Sequence, residues 1–240
     1  MKPYLYAEKI KFKVKERSEP IIFETNISIA KGEFVVIVGA NGSGKSTLTK
    51  ILAGYFKPTS GKVFLDQVRI DKIAQSQKAS TLITITQKAE DRLFSELTLE
   101  ENITLWESRF PSHKRLTSRE VLELTGSPNR FLPLLSQQLG KFSGGEKQII
   151  LLALSIAHPP KILFLDEHTA NLDPKASKEV MKKTAEIIEQ HKINSVMITH
   201  NLEDAANYGK RLIILDKGQV VLDYIKPLDF SLIELKKLLD

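Results

Sequence analysis

A nine-residue stretch, GANGSGKST (Gly39 to Thr47), follows the apolar run EFVVIV and precedes a helix-forming segment, Leu48 to Ala53. A buried strand that passes through a glycine-rich turn into a helix leaves little freedom in fold class. Gly39, Gly42 and Gly44 remove the side chains that would hold a ligand off the backbone, so N–H groups can converge on oxygens. The helix that follows adds its positive N-terminal end. Asn41, Ser43 and Thr47 complete the loop. Lys45 can reach the β- and γ-phosphates of a nucleotide, and Ser46 can hold Mg²⁺. The expectation is a nucleoside-triphosphate site at the tip of a buried strand.

The rest of the chain is consistent with one α/β domain. Its 240 residues, 42% of them hydrophobic, can bury a sizeable core. There is no cysteine, which removes disulfides, thiolate zinc sites and cysteine nucleophiles and suits a reducing compartment. The longest apolar stretches, such as IILLAL (Ile149 to Leu154), are far shorter than a membrane span. MKPYLYAEKIKFKVKER lacks the apolar core of a secretion signal, so a cytoplasmic protein is expected. The net charge of +6, from 35 Lys and Arg against 29 Asp and Glu, is mild and scattered, supports attraction to anionic lipid or to nucleic acid only weakly, and decides nothing alone. The small group Lys9 to Lys15 reads as a solvated strand edge.

Two kinds of strand are foreseen. Tyr4, Tyr6, Ile10, Phe12 and Val14, then Ile21, Phe23, Ile27 and Ile29, alternate around the polar turn KERSEP and read as a hairpin. KVFLDQVRI (Lys62 to Ile70) reads as a third strand of the same antiparallel layer. FVVIV, KILFL, SVMIT and RLIIL are solid apolar runs, as in a parallel sheet covered on both faces. Helical patterns lie between them at Glu146–Ala157 and Lys175–His191. From about Lys88 to Lys141 the chain is polar and mostly helical in pattern (Thr98–Ser108, Ser118–Leu124), with Pro111, Pro128 and Pro133 interrupting it. This stretch, 88–141, reads as a helical insertion between two parts of a nucleotide-binding core, 1–87 and 142–240. PLDFSLIELKKLLD closes the chain as a short amphipathic helix.

A second strong motif is KILFLDEH, where a buried strand ends on two adjacent carboxylates, Asp166 and Glu167. Strand tips are where α/β sheets place ligands. Asp166 suits the Mg²⁺ shell, and Glu167 suits a general base acting on the attacking water. A third motif, FSGGEKQ (Phe142 to Gln148), puts a serine and two glycines at the start of the most apolar helix, which on its own reads equally as an ordinary helix cap or as a second anion-binding helix end.

Two phosphate-binding helix starts plus strand-end carboxylates make the chain resemble the ATP-binding-cassette (ABC) ATPases along nearly its whole length. The resemblance implies a P-loop cassette with a mainly parallel core sheet, an N-terminal antiparallel β layer and a helical subdomain. It further implies the following roles. GANGSGKST is the Walker A loop. ILFLDE is the Walker B strand, with Glu167 catalytic. Gln87, after TLITIT, is the Q-loop residue that touches Mg²⁺ and the water. ANLD (Ala170 to Asp173) is the D-loop, with Asp173 counted among the nucleotide-binding residues. His200 is the switch histidine that senses the γ-phosphate. Ser143, Gly144 and Gly145 are the signature residues that complete the site of a second cassette stacked head to tail.

Three departures from the family pattern stand out. The alignment puts Val14 where many members stack an aromatic ring on adenine, so the base is held by apolar contact, by Phe12 or by a nearby Tyr. Phe142 and Glu146 replace the commoner Leu and Gln at the edges of the signature. His168 stands where proline is frequent, either as a tolerated loop residue or as the mark of a subfamily. The LDEHTANLDP segment and the region after SVMITH resemble cassettes of bacterial uptake systems assigned to amino acids, particularly aromatic ones. QKAEDRLFSELTLEENI resembles those of vitamin and metal importers. The function implied is the ATP-hydrolysing subunit of a membrane importer, using ATP and Mg²⁺ at the cytoplasmic face of the membrane. Its implied partners are a like or sister cassette, permease subunits and an extracytoplasmic substrate-binding protein, with no nucleic acid. The competing class is a soluble, non-transport cassette such as one for iron–sulfur cluster assembly.

Overall fold

The computed structural model describes residues 3–16, 18–110, 114–227 and 229–239. Met1, Lys2, Arg17, Pro111, Ser112, His113, Leu228 and Asp240, which belong to segments read above, lie outside the described residues. In chain order the elements are β1 (Leu5–Phe12), β2 (Ile22–Ile29), β3 (Phe34–Val38), α1 (Lys45–Leu52), β4 (Ser60–Leu65) and β5 (Val68–Arg69). Next come α2 (Gln75–Thr81), β6 (Leu82–Ile85), α3 (Leu99–Glu107), α4 (Ser118–Glu123), α5 (Pro128–Phe131), α6 (Gly144–Ala157) and β7 (Ile162–Asp166). The last are α7 (Pro174–His191), β8 (Ser195–Ile198), α8 (Leu202–Asn207), β9 (Arg211–Asp216), β10 (Gln219–Ile225) and α9 (Leu232–Leu239).

The strands form two sheets, one in the order β2-β1-β4-β5 and one in the order β10-β9-β3-β8-β7-β6. The larger sheet is parallel from β9 to β6, with β10 antiparallel at its edge. Its solid apolar runs are explained by two cores, one on each face. Val35, Ile37, Phe164, Val196, Ile198, Ile213 and Leu215 point to a core shared with α1 and the antiparallel sheet. Their neighbours Val36, Val38, Leu163, Leu165, Met197, Leu212 and Ile214 point to a second core with α6, α7 and the helices of 99–131. Each run still alternates with period two, but both sides are dry. Arg211 ties the two sheets together, donating to the Ser28 carbonyl at 2.8 Å and to Asp223 at 2.5 Å.

The antiparallel layer departs from the simple alternation. Lys9 adopts a left-handed backbone (φ 48°), and the pairing of β1 with β2 shifts register between Ala7 and Ile10. The bulge inserts one residue and flips the phase, so Leu5, Ala7 and Ile10 are buried and Tyr6 instead stacks on Phe64 on the other face. The stretch 62–70 is likewise not one strand. Asp66 and Gln67 both take positive φ and fold it into the two-residue hairpin β4–β5. A similar turn at Lys217–Gly218 creates β10, an edge strand that the sequence patterns did not foresee. Among the described residues, no helix is long and apolar enough to cross a membrane.

Candidate active site

Strand β3 delivers the chain into the glycine-rich loop, and two of its glycines are sterically required. A Cβ on Gly39 would sit 2.0 Å from the Leu215 carbonyl oxygen. Gly44 combines φ +103° with an Ile22 methyl 2.8 Å from where a Cβ would be. Gly44 is also the cap of α1 and carries no side chain to bond the first-turn N–H groups, which leaves them directed at the cleft. Lys45 is 5% exposed, and its ammonium donates to the Gly39 and Ala40 carbonyls at 2.9 Å each. The charge is thus held directly over the loop.

The tip of β7 lies beside this loop. Ser46 Oγ donates to Asp166 Oδ1 at 3.0 Å. Burial raises the Asp166 pKa and outweighs the opposing bond from Ser46, while the adjacent Glu167 charge also raises it. A hard cation placed between these two oxygen donors would offset that burial penalty, so the pair fits Mg²⁺. Glu167 has φ 50°, a conformation that costs a non-glycine residue roughly 1–3 kcal/mol. Its surroundings enforce that conformation. The Glu167 N–H donates to the Ile198 carbonyl at 3.1 Å, and the Glu167 carbonyl accepts from Ala170 at 3.0 Å. The next residue, His168, is buried with Nε2 3.2 Å from Thr184 Oγ1. Because Thr184 Oγ1 donates to the Val180 carbonyl, the imidazole supplies the proton for the 3.2 Å contact, and α7 anchors the carboxylate loop. Burial pushes the His168 pKa down to about 4, so the ring is neutral near pH 7. His200, just past β8, brings Nδ1 to 3.5 Å from Glu167 Oε1.

Lys45, Ser46, Asp166 and Glu167 share a cleft of about 690 Å³ that Asn41, Gly42, Gly44, Thr47 and Gln87 also line, whereas His200 does not line it and reaches it through Glu167. Ile21, Thr86, Lys88 and Asp91 line it too, and sequence reasoning missed them. Gly39 and Ser43 do not line it. Neither Val14, which is half-buried, nor Phe12, whose ring stacks on Phe56 with centres 5.4 Å apart, lines the cleft. Gln87 is two residues beyond β6 and donates to Asn171 Oδ1 at 2.7 Å, joining the cleft to the loop after β7. Its backbone is fixed by a residue with no foreseen role. Gln148, buried on α6, donates to the Thr86 and Gln87 carbonyls at 3.1 and 3.3 Å. The signal was present, since a glutamine inside an apolar helix needs polar partners.

Ser143, Gly144 and Gly145 are outside this cleft. Ser143 caps α6 in a reciprocal box with Glu146, and Ser143 and Gly144 are exposed. Asp173 caps α7, accepting from the Lys175 and Ala176 N–H groups at 3.1 and 3.0 Å.

A phosphate-binding loop, two strand-tip carboxylates and a nearby histidine on this two-sheet scaffold define an ATP-binding cassette. The chain belongs to the ABC transporter family, whose model matches residues 22–170, and it is an ATPase of that family. It is 39% identical over 212 residues to the tyrosine transport ATP-binding protein of Clostridioides difficile, covering 84% of this chain and 83% of that one. The energy-coupling factor transporter ATP-binding protein EcfA1 of Mycoplasma mobile is 32% identical, over 91% of this chain and 79% of its own. Among solved structures, the dimeric cassette MJ0796 in a post-hydrolysis state bound to ADP and Pi superposes with a TM-score of 0.76. It is 25% identical, with 92% and 98% of the two chains covered. CbiO1 of Clostridium perfringens, part of an ABC transporter complex, shares the fold with a TM-score of 0.79 over 93% and 88%.

Proposed function

We propose that this cassette hydrolyses ATP to drive a membrane importer of amino acids. The observation that carries the chemistry is the convergence of Lys45, the Ser46–Asp166 pair and Glu167 on one cleft, with His200 3.5 Å from Glu167. The backbone of Gly39 to Thr47, with Asn41, Gly42, Ser43 and Gly44 at its turn, wraps the phosphates, and Lys45 moves from the loop carbonyls to phosphate oxygens. Ser46, Asp166 and Gln87 hold Mg²⁺, which when bound neutralises phosphate charge. Glu167 accepts the proton of the attacking water, and His200, within reach of Glu167, orients that water and reports the γ-phosphate. Neither Phe12 nor Val14 lines the cleft, whereas Ile21 does, which favours apolar contact for the base.

The helix start at Ser143, Gly144 and Gly145, exposed at its first two residues, together with Asp173, serves the cleft of a second cassette. This division of labour is supported by the absence of those residues from the lining of their own cleft and by the dimeric form of the similar MJ0796 structure. In this reading 88–141 is a helical subdomain set between 1–87 and 142–240. It moves with Gln87 and passes the motion to permease subunits at the cytoplasmic face of the membrane. Amino-acid cargo is supported by the similarity to a tyrosine transport ATP-binding protein, and an extracytoplasmic binding protein is the component proposed to deliver that cargo.

The test is co-purification of the tagged chain from its host's membranes in mild detergent. A stoichiometric polytopic partner with a binding protein supports the importer. A partner without a binding protein removes that component from the proposal. Recovery only from the soluble fraction with cytosolic assembly proteins refutes transport.

A further inference from the structure

The exposed start of α6 carries an electrostatic contradiction. An anion-binding helix end should present N–H groups and no negative charge. Here the cap is completed by Glu146, whose Oε2 lies 2.9 Å from the Ser143 nitrogen and 3.0 Å from the Ser143 hydroxyl. A glutamine would complete the same reciprocal cap without charge. As built, a full carboxylate stands beside the serine that faces outward.

Arg130 resolves the contradiction. It stands on α5, a separate segment of the chain, and its Nη2 donates to the other Glu146 oxygen, Oε1, at 3.0 Å. Its Nη1 donates to Glu179 on α7, also at 3.0 Å, and its guanidinium lies 5.5 Å from the centre of the buried Phe131 ring. Three contacts thus fix a group that stays charged at all accessible pH. Burial disfavours the Glu146 charge, but the bonds from Ser143 and Arg130 outweigh it and hold its pKa below the usual carboxylate range. Lys147, the adjacent cation, is engaged elsewhere, at 2.8 Å from Glu90.

We propose that Arg130 is a positioning residue that neutralises Glu146, so that the Ser143–Gly145 helix start can accept the polyphosphate held by a second copy of the cassette. The inference rests on the half-site reading above and adds a residue to it. Arg130 acts through Glu146 and does not touch nucleotide. Its removal therefore harms assembly only while the carboxylate is present.

The experiment measures ATP-driven dimerisation by sedimentation in the Glu167→Gln background, where nucleotide is retained. The variants compared are Arg130→Gln, Glu146→Gln, the two combined, and Arg130→Lys, each with its melting temperature. Arg130→Gln should weaken dimerisation roughly three- to tenfold at low salt, the size of one uncompensated charge acting over about 10 Å near a protein surface. That defect should shrink as salt rises, and Arg130→Lys should recover most of the lost affinity. Adding Glu146→Gln to Arg130→Gln should return dimerisation to the level of Glu146→Gln alone. A double variant as weak as Arg130→Gln, or a defect indifferent to salt, overturns the proposal and assigns Arg130 a direct or purely structural contact. Failure of the parent to dimerise with ATP would instead overturn the half-site reading, and this inference with it.

Discussion

Asp204 makes the stability of this protein depend on pH in a way one substitution can remove. It sits in the first turn of α8, four residues after His200, is 7% exposed, and has one carboxylate oxygen, Oδ2, buried without a hydrogen-bond partner. Burial raises its pKa from 3.8 to about 6, helped by the Glu203 charge and opposed by His200 and Lys178. The folded state therefore holds this proton more tightly than the unfolded chain. The stability it contributes is complete below about pH 4 and is lost as pH rises through 6. A difference of 2.2 units (6 minus 3.8) at 1.36 kcal/mol each makes the ionised carboxylate cost about 3 kcal/mol at pH 7.5, falling to about 0.5 kcal/mol at pH 4.

Asp204→Asn keeps the shape and removes the charge. An amide at the unpartnered position brings its own constant penalty, about 1–3 kcal/mol, so the informative quantity is the slope. Urea unfolding followed by circular dichroism at pH 4, 5, 6 and 7.5 should show the variant gaining on the parent by roughly 2 kcal/mol or more across that range. Parallel stability curves for the two proteins would refute the burial argument.

Other outcomes follow from the same geometry. Glu167→Gln should retain ATP and lose nearly all turnover; normal phosphate release would remove Glu167 as the base. Lys45→Ala should weaken nucleotide binding, measured by calorimetry, because a buried charge-assisted contact disappears. His168 contributes in the opposite sense to Asp204: its folded pKa of about 4 is depressed, so stability is full above about pH 6.5 and falls as pH drops toward 4. His168→Gln should flatten that acid limb by up to about 3 kcal/mol in the same unfolding assay. Gln148→Leu should leave the fold intact while loosening Gln87, seen as lower turnover with faster amide exchange at Thr86–Lys88.

Much of the architecture was legible because its signals are local. Solid runs such as FVVIV and RLIIL announce strands covered on both faces, and the structure puts a core on each side of them. The start of α6 was legible as well, since a serine followed by glycines is a chain-local cap. What escaped was a matter of one residue or of distance. A single left-handed Lys9 reversed the facing of β1, and two positive-φ residues turned one predicted strand into a hairpin. Alternation has period two, so one inserted residue inverts every assignment after it.

The sequence by itself determined the phosphate loop, the strand-tip carboxylates and the layered α/β order, because each depends on neighbours along the chain. Only the tertiary structure decided what spans the chain: Ser46 on Asp166, Gln148 on the Gln87 backbone, Gln87 on Asn171 and Arg130 on Glu146. Hydrogen bonds reach about 3 Å and have no memory of sequence separation, so those pairings exist only once packing has fixed every backbone around them.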